Sequence, residues 1–186
     1  MIVPAGKVLG IVLAAGWFIG AAPAIPAQLA TPRLPELARV GALAGDVAIV
    51  RGDDARYGAA SIGATLLPGD SISTANGSQT EIRFEDGSTL QLSQETQVRL
   101  VRLDPRSCEV QLVDGSAELA ELPGPGATQQ IDTPSATIRP NRSGDYRVSV
   151  LPNGQTLVGV RSGSATVVSG GGTQTLTPDS RELIVL

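Results

Sequence analysis

The feature that most constrains the fold of this chain is a series of short runs in which apolar and polar residues alternate, as at residues 80–84, 98–103 and 146–150. A period of two puts alternate side chains on opposite faces of a strand, one against a core and one in water. Between the runs stand pairs of residues that favour tight turns because they accept a positive φ. These are Gly69-Asp70, Asn76-Gly77, Asp86-Gly87, Asp114-Gly115, Asn153-Gly154 and the glycine run 170–172. The pattern predicts an all-β fold.

Helical spacing of apolar residues is weak outside the N-terminal segment. The best candidate lies at residues 34–43, where Pro32 and Pro35 limit a helix to a turn or two. Strand–turn–strand patterns, in contrast, begin at Ile82, Val110 and Val158. No such unit can bury its apolar face alone, so the units must stack. Short stacked strands predict either a small β-solenoid-like domain or a two-sheet sandwich, and the unequal spacing of the copies disfavours a strict solenoid.

The N-terminal segment predicts export. Lys7 precedes an uncharged stretch at residues 8–30, whose apolar centre at 11–19 has the length of a signal-peptide core. Cleavage after Ala24 or Ala27 would follow small residues, whereas an uncleaved anchor is the alternative because the stretch is long enough for a bilayer. We therefore predict an N-terminal signal helix, acting as signal peptide or anchor, at 1–27. A linker at 28–39 and a β domain at 40–186 would follow, in a periplasmic or secreted protein.

Charge and cysteine content restrict the partners. Eighteen acidic residues stand against one lysine and thirteen arginines, and the arginines are scattered. This argues against nucleic acid, which needs a concentrated basic surface. Membrane contact is expected only through the N-terminal segment, if it is uncleaved. Cys108 is the single cysteine, so no intramolecular disulfide can form, and its phase with Val110 and Leu112 predicts a buried side chain.

The residue types disfavour an enzyme. The chain has no histidine, which excludes Ser–His–Asp and Cys–His nucleophilic sites and metal sites that need histidine. Asp70, Asp86 and Asp114 could form a glycosidase-like carboxylate set, but each adjoins a glycine and is expected to cap its own turn. Asp53-Asp54 and Glu85-Asp86 could bind Ca²⁺ weakly, although solvated turns are the favoured interpretation. We predict no catalytic, cofactor-binding or metal-binding residue.

One arginine group remains a candidate. Arg139, Arg142 and Arg147 fall close together in the sequence and could meet an anionic ligand, but a scattered solvated face is the favoured alternative.

A series of short motifs follows a fixed order along the chain. It opens with Gly45-Asp46-Val47, continues through residues 67–74 and then runs from Gly77-Ser78 to Leu92, which includes Asp86-Gly87-Ser88. Later steps lie at residues 112–117 and 131–136, and the series closes at 144–148 and 160–165. In their order and number these motifs resemble the FecR-type domain. The step at residues 67–72 is also similar to a LysM motif, but the residues after Ile72 predict a turn and a strand where LysM modules need helices.

The FecR resemblance implies an extracytoplasmic β module. Known members are membrane-spanning sensors whose cytoplasmic helices bind a sigma factor. Here seven residues precede the apolar stretch, so we expect no sigma-binding helices. The sequence predicts a non-catalytic binding or scaffold module in envelope signalling or assembly. Its partner would be an envelope protein, bound through sheet edges or loop tips. The alternative is a structural envelope protein that binds glycan or peptidoglycan.

Overall fold

The computed structural model describes residues 37–53, 55–121, 128–178, 180 and 183–185. These residues form strands and turns without a helix, which confirms the predicted all-β class. The signal helix, cleavage sites and most of the linker predicted at 1–39 lie outside the described residues. The strands are β1 (Ala38–Ala44), β2 (Val47–Val50), β3 (Tyr57–Ala59), β4 (Thr65–Leu66), β5 (Ser71–Thr74), β6 (Gln79–Phe84), β7 (Thr89–Leu92), β8 (Gln97–Asp104), β9 (Ser107–Glu121), β10 (Thr128–Asp132), β11 (Ala136–Pro140), β12 (Gly144–Val150), β13 (Thr156–Val160), β14 (Ala165–Ser169), β15 (Gly172–Leu176) and β16 (Leu183–Val185).

The strands form one open hydrogen-bonded network with two halves that meet at β9. The first half-sheet has the order β4-β1-β6-β7-β9-β12-β13-β16. The second half-sheet has the order β3-β2-β5-β8-β9-β10-β11-β14-β15. Every described pairing is antiparallel except β9 with β10. Successive coils of a solenoid pair in parallel, so this pairing favours the two-sheet alternative.

Strand β9 corrects one prediction made from the sequence. Asp114-Gly115 was expected to form a tight turn between two strands, but it lies inside one 15-residue strand. Residues 107–114 pair within the second half-sheet, and residues 115–121 pair within the first. Gly115 has a φ of +84°, and a Cβ there would lie 2.5 Å from the Glu95 carbonyl oxygen. The glycine therefore serves a bend between the two halves rather than a hairpin.

The other turns divide into two kinds. Asp86-Gly87 and Asn153-Gly154 close hairpins between paired strands, as does the run 170–172. Gly69-Asp70 and Asn76-Gly77 instead carry the chain from one half-sheet to the other, and so does the turn at 161–164. The segment 34–43, the best candidate for a helix in the sequence, is a strand over its described part, because β1 begins at Ala38 and pairs with β6.

The inward faces of both half-sheets share one hydrophobic core. Ile82 and Tyr146 come from the first half-sheet, while Ile72 and Leu112 come from the second. Apolar positions that alternate along each strand supply this core, since successive side chains point to opposite faces. Cys108 is buried in the same cluster, as the sequence predicted. Burial, and secondarily the charge of Asp86, raises the pKa of its thiol to about 12.

Candidate functional site

Asp70 holds two turns together. It is buried, and its Oδ2 accepts hydrogen bonds from Arg51 Nη1 at 2.5 Å and from the Leu67 N–H at 3.0 Å. Its Oδ1 accepts the Gly52 N–H at 3.0 Å. The carboxylate thereby fixes the start of the β2–β3 connection to the β4–β5 turn. All of its contacts are structural, as expected for an aspartate that caps a turn.

The two other turn carboxylates lie elsewhere. Asp86 Oδ1 accepts the Ser88 N–H at 2.8 Å in the β6–β7 hairpin, and Asp114 Oδ1 accepts the Gly115 N–H at 2.8 Å within β9. The three carboxylates thus lie in three separate places, two in turns and one at the bend within β9, each with a backbone partner of its own. Within the described ranges no group of three or more acidic or cysteine side chains could hold a metal ion. Asp54 of the candidate Ca²⁺ pair lies outside those ranges.

An acidic cluster that the sequence did not indicate lies beside the β6–β7 hairpin. Gln129, buried on β10, donates from Nε2 to Asp86 Oδ2 at 3.0 Å. Glu121 stands at the end of β9, and its buried Oε2 has no hydrogen-bond partner among the residues that the structure describes. Burial, with the charge of Asp86 as a second cause, raises the pKa of Glu121 to about 7. The cluster can take up a proton near neutral pH.

The outer face of the first half-sheet carries a concavity of about 410 Å³. Glu81, Gln91, Glu118 and Arg147 stand directly opposite one another on β6, β7, β9 and β12. Glu118 Oε1 accepts hydrogen bonds from Arg147 and lies 3.6 Å from Arg161 Nη2. Acidic and basic side chains are thus interleaved and paired across this face, which suits a polar ligand better than an apolar one.

The three arginines singled out from the sequence are not brought together. Arg139 lies on β11 of the second half-sheet and donates to Gln130 Oε1 at 2.9 Å. Arg147 lies on β12 of the first half-sheet, where it pairs with Glu118. Arg142 lies in the turn between these strands. The structure therefore gives no support to a shared anion site and agrees with the scattered-face alternative.

The end of the second half-sheet at β3 exposes apolar side chains. Tyr57 on β3 is 77% exposed, and Ile62 in the following loop is 68% exposed. The other two aromatic residues of the described ranges, Phe84 and Tyr146, are buried. Next to Tyr57 is a notch of about 330 Å³, lined by Ile49, Arg51, Arg56, Tyr57, Gly58, Ala59, Ser61 and Ala64. A tyrosine left in solvent beside a notch is typical of protein-binding surfaces.

Comparison with known proteins assigns the family. Residues 70–166, just over half of the chain, match the FecR protein family. This chain belongs to the FecR family. The resemblance found in the ordered Gly-Asp and Asp-Gly-Ser motifs is thereby confirmed, and the matched part of this FecR domain runs from β5 to the start of β14.

Two crystal structures are similar to this FecR domain, each of a "putative anti-sigma factor" from Parabacteroides distasonis. The TM-score is 0.52 in both cases, with 19% and 18% sequence identity. The alignment covers 61% of this chain and 58% of the other, so the chain spans less than two thirds of its structural neighbours. At this identity the likeness shows a shared fold. No curated protein sequence matches the chain, and the described residues contain no helix suited to crossing a membrane.

Sequence reasoning missed both the Glu121 cluster and the β3 surface. The only local signal for the second was an aromatic residue, Tyr57, in a short stretch next to a glycine. Its exposure depends on which strand ends the half-sheet, and strand order is a long-range property that short motifs do not specify.

Proposed function

We propose that this FecR-family chain is a non-catalytic binding module that works outside the cytoplasm, in envelope signalling or assembly, by contacting another protein. The described polar groups support this proposal, because Asp70, Asp86 and Asp114 each accept a hydrogen bond from a nearby backbone N–H group. The family assignment and the anti-sigma name of the structural neighbours agree with a role in signalling. The leader predicted at 1–27 would deliver the β domain to the periplasm or the exterior.

The observation that carries the proposal is the exposed tyrosine at the free edge of the second half-sheet. β3 pairs with β2 alone among the described strands, and Tyr57 and Ile62 are the two most exposed large apolar side chains there. Burying a tyrosine against a partner removes apolar area from water, at about 25 cal/mol per Å². Tyrosine is also enriched among the residues that dominate binding energy at interfaces.

Site-specific photocrosslinking in cells tests this function. A photoreactive phenylalanine analogue at position 57 is expected to capture a discrete envelope protein, and the same analogue at position 91 on the outer face of the first half-sheet is the matched control. Tyr57→Ala should weaken recovery of that protein about tenfold or more, the range of interface hot spots. Gln91→Ala should leave recovery unchanged. Equal crosslinking at both positions, or unchanged recovery with Tyr57→Ala, would contradict the proposal.

A second candidate is glycan binding on the outer face of the first half-sheet. Its support is the row of Glu81, Gln91, Glu118 and Arg147, which spans about 14 Å over four strands spaced ~4.8 Å apart. Planar carboxylate, amide and guanidinium groups offer the donors and acceptors that sugar hydroxyls need. Co-sedimentation of the full-length chain with isolated peptidoglycan tests it. Retention that is lost in a Glu118→Ala, Arg147→Ala double variant would support glycan binding, whereas retention of the double variant would refute this site.

A further inference from the structure

The hydrogen bonds of β3 show which of its backbone groups face outward. The Arg51 N–H donates to the Arg56 carbonyl at 2.9 Å, and the Ala60 N–H donates to the Val47 carbonyl at 2.8 Å. In an antiparallel pair, hydrogen-bonded and non-hydrogen-bonded residues alternate. With Ile49 opposite Gly58, it follows that Gly58 bonds to β2 and that the N–H and C=O groups of Tyr57 and Ala59 point away from it. The outward N–H and C=O groups of Tyr57 and Ala59 thus form a short ladder, to which another strand could hydrogen-bond.

The notch beside this ladder is present because position 58 is a glycine. Gly58 stands opposite Ile49, whose side chain is in the core, and so lies on the core-facing side of β3. A Cβ at Gly58 would meet no atom of the described residues within 4 Å. The space that a side chain would fill is therefore open on the described side, and Ile49 and Ala64 also line it. A side chain supplied by another segment could occupy it without displacing any atom of the described residues.

We propose that β3 is a docking strand: an extended segment of a partner protein adds to it as a further strand and inserts an apolar side chain into the notch at Gly58. This inference deepens the proposed function and rests on it. Outward N–H and C=O groups in register are complemented by another extended backbone. An apolar side chain fits the floor made by Ile49 and Ala64.

The opposite end of the same half-sheet lacks these features. β15 also ends the second half-sheet and pairs with β14 alone among the described strands, but its exposed side chains are Thr173, Gln174 and Thr175. No large apolar residue is exposed on it. Strand addition at β15 would thus offer backbone hydrogen bonds without an anchor. β3 offers the same backbone hydrogen bonds and, in addition, the notch at Gly58 that can hold an apolar side chain. Strand addition draws affinity from the backbone bonds and specificity from such side-chain pockets.

Two pairs of variants test separately the two proposed contacts, which are the backbone hydrogen bonds to β3 and the insertion of a side chain into the notch. Ala59→Pro removes an outward N–H and leaves the bonds to β2 intact, since proline is tolerated where the N–H faces solvent at an edge. Ala59→Val enlarges the same exposed side chain but keeps the N–H. Gly58→Val fills the notch with a residue favoured in strands. Gly170→Val is the matched control, because a Cβ at Gly170 also meets no atom within 4 Å and lies in the β14–β15 turn. Circular dichroism melts should show that all four variants fold.

The probe is a phage-displayed library of random linear peptides, selected on the full-length chain. We expect selected peptides to share an apolar residue. Ala59→Pro should weaken them about tenfold, which corresponds to about 1.4 kcal/mol, and Gly58→Val at least as much. Ala59→Val and Gly170→Val should bind as the wild type does.

Other outcomes overturn the docking strand. One is a library that yields no binder, and another is a set of peptides that bind Ala59→Pro and Gly58→Val normally. If either result occurs and Tyr57→Ala still reduces recovery of the envelope protein, the proposed function stands and only the mode of binding is wrong. A wild-type dimer that Ala59→Pro abolishes would identify a second copy as the occupant, which also contradicts this proposal.

Discussion

Two aspartates in glycine turns of this domain have opposite surroundings. Asp70 is buried and fully engaged, with an arginine and two backbone N–H groups bound to it. Asp86 accepts bonds from Ser88 and Gln129, but its charge also acts on Glu121, whose pKa is raised to about 7. The first turn fixes the connection that leads to β3. The second turn holds a carboxylate whose charge acts on a titratable group at the end of β9. An aspartate next to a turn glycine therefore fixes the structure in one place and contributes to pH sensitivity in the other.

The largest effect is expected at Asp70. Asp70→Ala leaves Arg51 and the Gly52 and Leu67 N–H groups without their partner, and should lower the free energy of unfolding by about 3 kcal/mol. Asp114→Ala removes only an exposed bond to the Gly115 N–H and should cost under about 1 kcal/mol. Urea unfolding of the two variants measures the contrast. Equal losses of unfolding free energy in the two variants would contradict a larger contribution from the buried Asp70 contacts.

A smaller effect is expected from pH at Glu121. Its pKa rises from 4.5 to about 7 on folding, so folding favours the protonated carboxyl. The contribution of the protonated Glu121 carboxyl to the free energy of unfolding is present in full below pH 4.5 and is lost as the pH rises through 7. We expect the wild type to lose about 1 kcal/mol between these values, because solvent screens a half-buried carboxylate. Glu121→Gln should remove this loss in urea titrations at several pH values, and a parallel loss in the variant would contradict the account.

Removing the charge of Asp86 should have a subtler result. Asp86→Asn keeps an oxygen for the Ser88 N–H but removes the repulsion on Glu121, so the pKa of Glu121 should move down and remain above 4.5, since burial is its larger cause. Carboxyl ¹³C titration by NMR measures the shift. An unchanged Glu121 titration would mean that burial alone raises the pKa.

The smallest effect is expected on the outer face of the first half-sheet. Glu118→Ala breaks ion pairs with Arg147 and Arg161, whose side chains are 56% and 73% exposed. Exposed pairs contribute about 0.2–1 kcal/mol, so the unfolding midpoint should change little. A loss as large as that of Asp70→Ala would remove the distinction between buried and exposed carboxylates.

The sequence predicted the class of fold because alternation and turn chemistry are local. Residues 80–84 and 146–150 became strands, and Asp86-Gly87 became a hairpin, since nothing distant competes with these preferences. Asp114-Gly115 was misread because a positive φ serves a bend within a strand as well as a turn between two. Gly115 forms a bend and not a hairpin turn because β7 and β12 are available to pair with residues 115–121.

The candidate sites were less accessible from the sequence. The turn-capping role of Asp70 could be predicted, because glycine and aspartate neighbours define it locally. The environment of Glu121 could not, since Asp86 is 35 residues away in the chain and approaches it only through strand order. The same holds for the β3 edge, where Tyr57 is exposed because none of the described strands follows β3 in the half-sheet.

Amide hydrogen exchange at β3 tests the central claim most directly. In the free chain the amides of Tyr57 and Ala59 face outward and should exchange quickly, whereas that of Gly58 bonds to β2 and should be protected. Adding a peptide selected on the full-length chain should protect Tyr57 and Ala59 and leave the amides of Gly172–Leu176 unchanged. Protection at β15, or a bound peptide that leaves Tyr57 and Ala59 exchanging as before, would contradict strand addition at β3.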